Sequence, residues 1–451
     1  MSATDYGLIG HPLGHSLSPQ IHAALLEAAG LPGRYDLFDI LPDQLGETVR
    51  RLGRERLGFN CTIPYKEQVM PLLESLDPVA GRIRSVNTVW RNRGYNTDYD
   101  AFRHDCPLSS GDHVLILGAG GVSRTMAFAA ADAGCVLRIV ARRPQQARDL
   151  ACAVQTACPA ADIACPEDLD AWRRDADGAN RWIALNGTPV GLWPHVAKMP
   201  LAPDDLSFCR FVYDTIYNPV ATRLVLAARS RGIRAKGGLG MLFGQALAAQ
   251  KIWNPQSVFP EPAMAGVCAA LEAEIWRQFP LTVLLSGFMG SGKTTVGRLL
   301  ARQMQLPFVD LDQQIEKEAG RSIPDMFARD GEVAFRSLER RLLEDIVRQP
   351  YSKILATGGG ALTGPDIAPV LAAAPTRVVY LDIQPERLVE RLGRGRGRPM
   401  LAGKDFGQWR ALYDERRPRY LERADLVVDT APPADRVAAF IWQRLGLEET
   451  T

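Results

Sequence analysis

Short apolar runs alternate with helical patterns along the first part of the chain. Residues 6–9 and 57–63 read as buried strands, and helices are predicted to open at Ser18-Pro19 and at Pro64, where a proline suits the first turn. A second block begins at His113-Val114-Leu115-Ile116-Leu117, which runs into a glycine turn and an alanine-rich helical stretch ending near Ala133. Another strand, residues 136–140, follows at once. Strand, helix and strand in that order form the parallel crossover from which dinucleotide-binding domains are built. A third block opens with the strand 281–286, after a helix over 263–277 and the connector Gln278-Phe279-Pro280. The predicted class is α/β throughout. There is no repeat of 20–50 residues and no low-complexity tract.

Composition narrows this picture only a little. A chain of 451 residues is too long for one core and predicts several domains. With 46% apolar and 23% charged residues it reads as an ordinary globular protein. The start, Met1-Ser2-Ala3-Thr4-Asp5, has no basic segment followed by an apolar run, and no stretch reaches the length of a membrane span, so a cytoplasmic location is expected. A formal charge of +2 gives no argument for nucleic acid. All eight cysteines precede residue 270 without a C-x-x-C pair, and are expected to be reduced, buried apolar residues.

Gly287-Phe-Met-Gly290-Ser291-Gly292-Lys293-Thr294-Thr295 follows a strand and precedes a helix, the setting a phosphate-binding loop requires. Its backbone N–H groups can curl around phosphate oxygens, Lys293 supplies a point charge, and the Thr294 hydroxyl can ligate Mg²⁺, so ATP and Mg²⁺ are the expected cofactors. Asp310 and Asp312 stand two apart at the end of a predicted strand, hence on one side of it, as a metal-side acid beside an acceptor-side base; N-capping by Asp312 is the alternative. Further on come Gly331-Glu-Val-Ala-Phe335-Arg336, the triple glycine Gly358-Gly359-Gly360 after the strand 353–356, Arg398-Pro399-Met400-Leu401 and Arg416-Arg417-Pro418-Arg419-Tyr420. In order and content these motifs resemble the shikimate kinases over residues 281–445. The resemblance implies that Asp312, Arg336, Gly359 and Arg416 hold shikimate and that Asp310 positions Mg²⁺ through water. A guanidinium fork suits the acid's carboxylate better than an ammonium does. Arg391, Arg394, Arg396 and Arg398 lie among glycines, a pattern open to a solvated face or a nucleic-acid patch but read here as a lid over ATP. Arg398 matches the family's catalytic lid arginine.

Gly118-Ala-Gly120-Gly121-Val122-Ser123-Arg124 follows a strand and opens a helix, so its N–H groups would face a pyrophosphate, although Ser123 replaces the third glycine of the common fingerprint. The next strand ends in Arg142-Arg143, where arginine rather than an acid favours a 2′-phosphate and therefore NADP(H). Around this unit stand Gly10-His-Pro-Leu-Gly-His15-Ser16-Leu-Ser18-Pro19, Asn60-Cys-Thr62-Ile-Pro-Tyr-Lys66-Glu67, Ser85-Val-Asn87-Thr88, Asn96-Thr97-Asp98, Asn186-Gly-Thr-Pro-Val-Gly191, Asp214-Thr-Ile-Tyr217 and Gly238-Leu-Gly-Met241-Leu-Phe-Gly-Gln245. Over residues 5–275 these resemble shikimate dehydrogenase. The resemblance implies that Ser16, Ser18, Asn60, Thr62, Asn87, Asp98, Tyr217 and Gln245 contact the bound acid. Lys66, placed in a predicted first helical turn whose dipole disfavours the ammonium, would with Asp98 hold the C3 oxygen and pass a proton while hydride reaches the carbonyl carbon. Ser18 also fits an N-cap, and Lys66 with Asp98 also fits a surface ion pair. His11 and His15 frame the serines and receive no catalytic role. Two departures from the family pattern are Arg84-Ser85-Val-Asn87, where Gly-Ala-Val-Asn is commoner, and Gly187-Thr-Pro-Val, in a loop that usually reads Ala-Thr-Ser.

The expected architecture is a substrate domain over 1–103 completed by 238–277, a Rossmann-type NADP-binding domain over 104–237, and a P-loop kinase domain with a central parallel sheet over 281–451. The expected activity is reduction of 3-dehydroshikimate to shikimate followed by its phosphorylation. The alternatives are a catabolic quinate/shikimate dehydrogenase joined to the kinase, or one half that only senses shikimate or nucleotide. Small-molecule substrates, no nucleic acid, no membrane, and an oligomeric state open between monomer and homodimer complete the expectation.

Overall fold

The computed structural model describes residues 4–14, 16–176, 181–364, 366–392 and 406–446. The chain divides into two compact units, one of Met1–Pro189, Pro200–Tyr217 and Ile233–Glu272, the other of Val190–Met199, Asn218–Gly232 and Ala273–Thr451.

The first unit holds two six-stranded sheets. Strands β1 (Tyr6–Gly10), β2 (Tyr35–Asp39), β3 (Gly58–Cys61), β4 (Ser75–Leu76), β5 (Thr88–Trp90) and β6 (Arg93–Tyr95) lie in the order β2-β1-β3-β5-β6-β4. β1 runs parallel to β2 and β3, while β5 turns antiparallel to β3 and β6. In the other sheet, β7 (His113–Leu117), β8 (Val136–Val140), β9 (Asp162–Ala164), β10 (Trp182–Asn186), β11 (Cys209–Asp214) and β12 (Arg234–Lys236) are all parallel, in the order β12-β11-β10-β7-β8-β9. That is the doubly wound order, whose direction reverses between β7 and β10 and opens a crevice beyond their carboxyl ends. One face of this sheet, with Val114, Ile116, Leu137, Ile139, Ile183 and Leu185, is buried with Met126 and Phe128 of the helix Gly121–Asp132, and Leu115, Leu117 and Ala184 of the opposite face are buried as well.

The second unit is built on one parallel sheet of β13 (Thr282–Ser286), β14 (Phe308–Asp310), β15 (Lys353–Ala356), β16 (Thr376–Asp382) and β17 (Leu426–Asp429), ordered β14-β15-β13-β16-β17. β13 is central, so the loop after it stands where the sheet changes direction. Arg377 on β16 is fully buried and donates to Val196 O at 3.0 Å and Ala221 O at 3.5 Å, while Arg223 pairs with Asp425 at 3.1 Å. Two segments distant in sequence thus belong to this unit's core.

Two local predictions change. Residues 64–69 form turns, not a helix, held by Tyr65 N–H to Thr62 O and Val69 N–H to Tyr65 O, so no helix dipole acts on Lys66. The cysteines are free, and Cys61, Cys106, Cys135 and Cys209 are buried as expected, but Cys152 is exposed.

Candidate active sites

In the first unit, Asn60 and Thr88 face each other across β3 and β5. Asn60 accepts from the Tyr35 phenol at 2.7 Å and donates to Asn87 O at 3.0 Å and Thr88 Oγ1 at 2.9 Å, so both its N–H groups are used inside the protein. Asn87 Oδ1 accepts from Thr97 N–H at 2.7 Å, which fixes the start of the helix Thr97–Asp105. That helix is capped by Asn96, whose side chain accepts from Tyr99 N–H, and Asp98 therefore lies in its first turn. Across from it the turn 62–69 is tied down by Val86 N–H to Lys66 O at 2.8 Å. The result is a Lys66 Nζ to Asp98 Oδ2 contact of 2.7 Å between side chains 22% and 13% exposed, more sheltered than a surface pair.

The other expected contacts sit on the loops beyond β1 and β3 and on neighbouring elements. Ser16 Oγ accepts from Ser18 N–H at 3.3 Å. Ser18 is the first residue of the helix Ser18–Ala28, which has Leu17 at its N-cap without a side-chain bond, so Ser18 is not a cap. Thr62 is bonded through its N–H to Ile9 O, Tyr217 is half-buried with its phenol raised above its ordinary value by burial, and Gln245 lies on the helix Leu239–Trp253 with its amide donating to Leu242 O at 2.8 Å. His11 pairs with Asp39 at 2.6 Å, and His15 lies outside the described residues.

The dinucleotide turn occupies the switch point. Gly118 has φ +98°, and a Cβ on Gly120 or Gly121 would meet no atom within 4 Å, which leaves the N-terminus of the helix Gly121–Asp132 open to a phosphate. Ser123 is fully buried, and a Cβ on Gly187 would stand 2.2 Å from its Oγ. The Ser123 replacement and the Gly187 departure are therefore one feature: the space that a third glycine leaves on the helix is supplied here by Gly187 on the facing loop. Val122 is half-buried, and Arg142 and Arg143 are exposed, Arg143 at the N-cap of the helix Pro144–Ala157. Arg84 explains the other departure. It ends the helix Pro78–Ile83 at φ +57°, a left-handed conformation that glycine takes freely and that a side chain adopts at a cost of roughly 1 kcal/mol.

In the second unit the phosphate loop turns at Gly287, Gly290 and Gly292 with φ of +145°, +86° and +98°. Lys293 opens the helix Lys293–Met304 and donates to Gly287 O at 2.8 Å and Phe288 O at 3.1 Å. Ser291 is buried within the loop, whereas Thr295 faces outward. Thr294 Oγ1 donates to Asp310 Oδ2 at 2.8 Å, joining the two expected metal-side groups. Asp310 rather than Asp312 caps the next helix, Leu311–Ala319, accepting from Asp312 N–H at 3.1 Å. Asp312 thus leaves the strand and stands in the first helical turn.

Thr294, Asp310, Asp312, Arg336, Gly359 and Arg416 all line one cavity of about 460 Å³. The triple glycine lets charged groups close on bare backbone. A Cβ on Gly358 would stand 2.6 Å from Glu339 Oε1 and 2.9 Å from Asp312 Oδ1, and one on Gly360 would stand 2.8 Å from the Arg336 guanidinium. Arg416 is buried with Nη1 3.5 Å from Gly359 O. Arg391 belongs to the helix Pro385–Leu392, and Arg394, Arg396 and Arg398 fall outside the described residues.

Comparisons with known proteins follow this division. The family model for shikimate kinase matches residues 289–445, and that for the shikimate dehydrogenase substrate binding domain matches residues 8–89. An NADP(+) shikimate dehydrogenase of Moorella thermoacetica is 39% identical over 259 residues, which cover 55% of this chain and 86% of that protein. The chain belongs to the shikimate dehydrogenase family. Its shikimate kinase portion follows on the same polypeptide. Among solved structures, shikimate 5-dehydrogenase of Thermus thermophilus with NADP(H) and shikimate matches at TM-score 0.51 and 30% identity, covering 59% of this chain and 98% of that one. A chorismate mutase/shikimate 5-dehydrogenase fusion from Clostridium acetobutylicum matches at TM-score 0.52 and 29% identity, covering 61% of this chain and 99% of that one.

Among the charged residues lining the kinase cavity, Glu339 was not legible in the sequence. Glu339, three positions after Arg336 on the helix Ile323–Val347, is 3% exposed and accepts from Arg336 Nη1 at 2.6 Å. Burial raises its carboxyl above the ordinary value, and Arg336 opposes that. The i,i+3 spacing was the available signal, but carboxylates at that spacing from arginine are common on exposed faces.

Proposed function

We propose that this chain reduces 3-dehydroshikimate to shikimate with NADPH and then phosphorylates shikimate on its 3-hydroxyl with ATP and Mg²⁺. The observation that carries the reading is the gathering of Thr294, Asp310, Asp312, Arg336, Gly359 and Arg416 around one cavity, which sets phosphate-side and acceptor-side groups together. The 2.7 Å Lys66–Asp98 pair supports the other half.

Bound NADPH supplies hydride at the substrate carbonyl carbon. Lys66 donates the proton to the oxygen, and Asp98 holds the ammonium and receives a hydrogen bond from the hydroxyl that results. Ser16, Ser18, Thr62, Asn87, Tyr217 and Gln245 orient the acid, with Asn60 as a brace behind Asn87 through its bond to the Asn87 carbonyl. The open N-terminus at Gly120 and Gly121 fits a pyrophosphate, and Arg142 and Arg143 fit a 2′-phosphate.

In the kinase half, ATP supplies the transferred phosphoryl group. The loop 287–294 fits its phosphates, and Mg²⁺, which keeps several waters, needs little more than Thr294 and a water on Asp310. Arg336 and Arg416 clamp the shikimate carboxylate, Asp312 accepts the proton of the attacking hydroxyl, and Arg398 neutralises charge on the transferred group. A cytosolic setting accords with free cysteines and with the absence, among the described residues, of a helix long and apolar enough to cross a membrane.

The full-length chain given 3-dehydroshikimate, NADPH, ATP and Mg²⁺ should form shikimate 3-phosphate. Parallel assays with shikimate and quinate, each with NADP and NAD, test the cofactor and substrate assignment; quinate turnover with NAD equal to shikimate turnover with NADP would overturn it.

A further inference from the structure

Asp382, the last residue of β16, was singled out by no motif, yet its carboxylate is fully engaged. Oδ1 accepts from the Tyr380 and Tyr413 phenols at 2.8 Å each, and Oδ2 accepts from Arg417 Nη2 at 2.8 Å. Its backbone oxygen accepts from Thr430 N–H and Oγ1, both at 2.9 Å, so the residue itself is fixed. Tyr413 and Arg417 are four residues apart on the helix Phe406–Arg423 and therefore share its inner face. Arg416 and Tyr420 continue that face. Arg416 reaches the acceptor cavity, and the Tyr420 phenol donates to Gly359 O. Tyr413 also packs edge-on against Phe288 of the phosphate loop, with ring centroids 5.7 Å apart. One carboxylate thus ties the helix that carries the acceptor arginine to the strand beside β13, from which the phosphate loop springs.

Resting on the kinase reading above, we propose that Asp382 is a positioning residue for phosphoryl transfer. It sets how far Arg416 projects toward the shikimate carboxylate by holding Tyr413 and Arg417. Arg417 is 42% exposed and is well solvated without its partner, so loss of the carboxylate charge chiefly frees the helix to shift along the sheet. A shift of that kind lengthens the Arg416 bond to the acid while leaving the nucleotide loop and its Lys293 contacts in place.

The test is steady-state kinetics of the full-length Asp382→Asn protein for both activities. The expected result is a rise in the shikimate KM of the kinase by about five- to tenfold, the scale of one displaced charge-assisted hydrogen bond, with ATP KM and kcat within about twofold of wild type. Tyr413→Phe and Arg417→Leu should each raise the same KM by a smaller factor, and they decide the matter if Asp382→Asn does not fold. A purely structural role predicts a lower melting temperature or active fraction with shikimate KM unmoved, and that result overturns the proposal. Wild-type chain run alongside separates the two layers. If it does not phosphorylate shikimate, the kinase reading falls and this inference with it; if it does and the variants keep its KM, this inference alone falls.

Discussion

The two proposed sites present different groups to closely related acids. In the dehydrogenase half the proposed substrate contacts are mostly neutral, and Asn60 and Asn87 are held by neutral neighbours through the Tyr35–Asn60–Thr88 and Asn87–Thr97 contacts. Charge enters through the Lys66–Asp98 pair. The kinase half instead places Arg336, Arg416, Asp312 and the buried Glu339 against a glycine backbone. The difference follows from the chemistry. Hydride transfer needs one proton delivered to one oxygen, for which a rigid neutral cradle suffices. Phosphoryl transfer gathers several negative charges, and fixed cations in a partly dry cavity offset them.

The sharpest way to break this comparison is to remove one lysine at a time. Lys66→Ala should lower reduction by about 10²–10⁴-fold and leave phosphorylation within about twofold, while Lys293→Ala should do the converse, each followed by initial rates in the full-length chain. Loss of both activities in a folded variant would contradict independent sites.

Next in size is the packing exchange at the dinucleotide turn. Gly187→Ala drives a methyl into Ser123 and should raise the NADPH KM about tenfold, on the scale of ~1–3 kcal/mol for overpacking. The double variant Ser123→Gly, Gly187→Ala should recover most of the loss, and phosphorylation should be unaffected throughout.

Each half also carries a buried base whose lowered pKa makes stability depend on pH, at opposite ends of the scale. His22, buried against Tyr35 with ring centroids 4.1 Å apart, is pushed down to about 3 by burial. Unfolding restores its ordinary value near 6.5, so the unfolded chain binds the extra proton and the dehydrogenase half loses stability as pH falls from 6.5 toward 3. Lys353 is lowered from 10.5 to about 8 by burial. The unfolded chain again holds the proton more tightly, so the kinase half gains stability as pH rises from about 8 toward 10.5. His22→Phe should flatten the acid-side slope of thermal inactivation for reduction alone, and Lys353→Met the alkaline-side slope for phosphorylation alone.

The smallest expected effect is that of salt. With Arg336 and Arg416 proposed to hold the acid in the kinase cavity, raising ionic strength should increase its shikimate KM by about two- to threefold and change the dehydrogenase KM for 3-dehydroshikimate less. Equal responses would erase the proposed contrast.

Much of this protein is written in contiguous stretches of its chain. The loop 287–294, the turn 118–124, the strands around them and the Arg336 and Arg416 motifs are local patterns, and a strand followed by a glycine turn and a helix has few ways to fold. Features made by residues far apart in sequence were not legible. Lys66 lies in a turn because Val86, twenty positions away, holds its carbonyl, although Pro64 is as good a helix opener as Pro19. Ser123 is tolerated because Gly187 faces it, and Asp382 is bonded by Tyr413 and Arg417 from beyond the 393–405 segment. The second unit takes in residues 190–199 and 218–232, with Val196 and Ala221 offering carbonyls to the buried Arg377. Hydrophobic period and glycine spacing specify elements, whereas the desolvation of a particular charge depends on which backbone or side chain arrives opposite it, and that is settled only when the chain is packed.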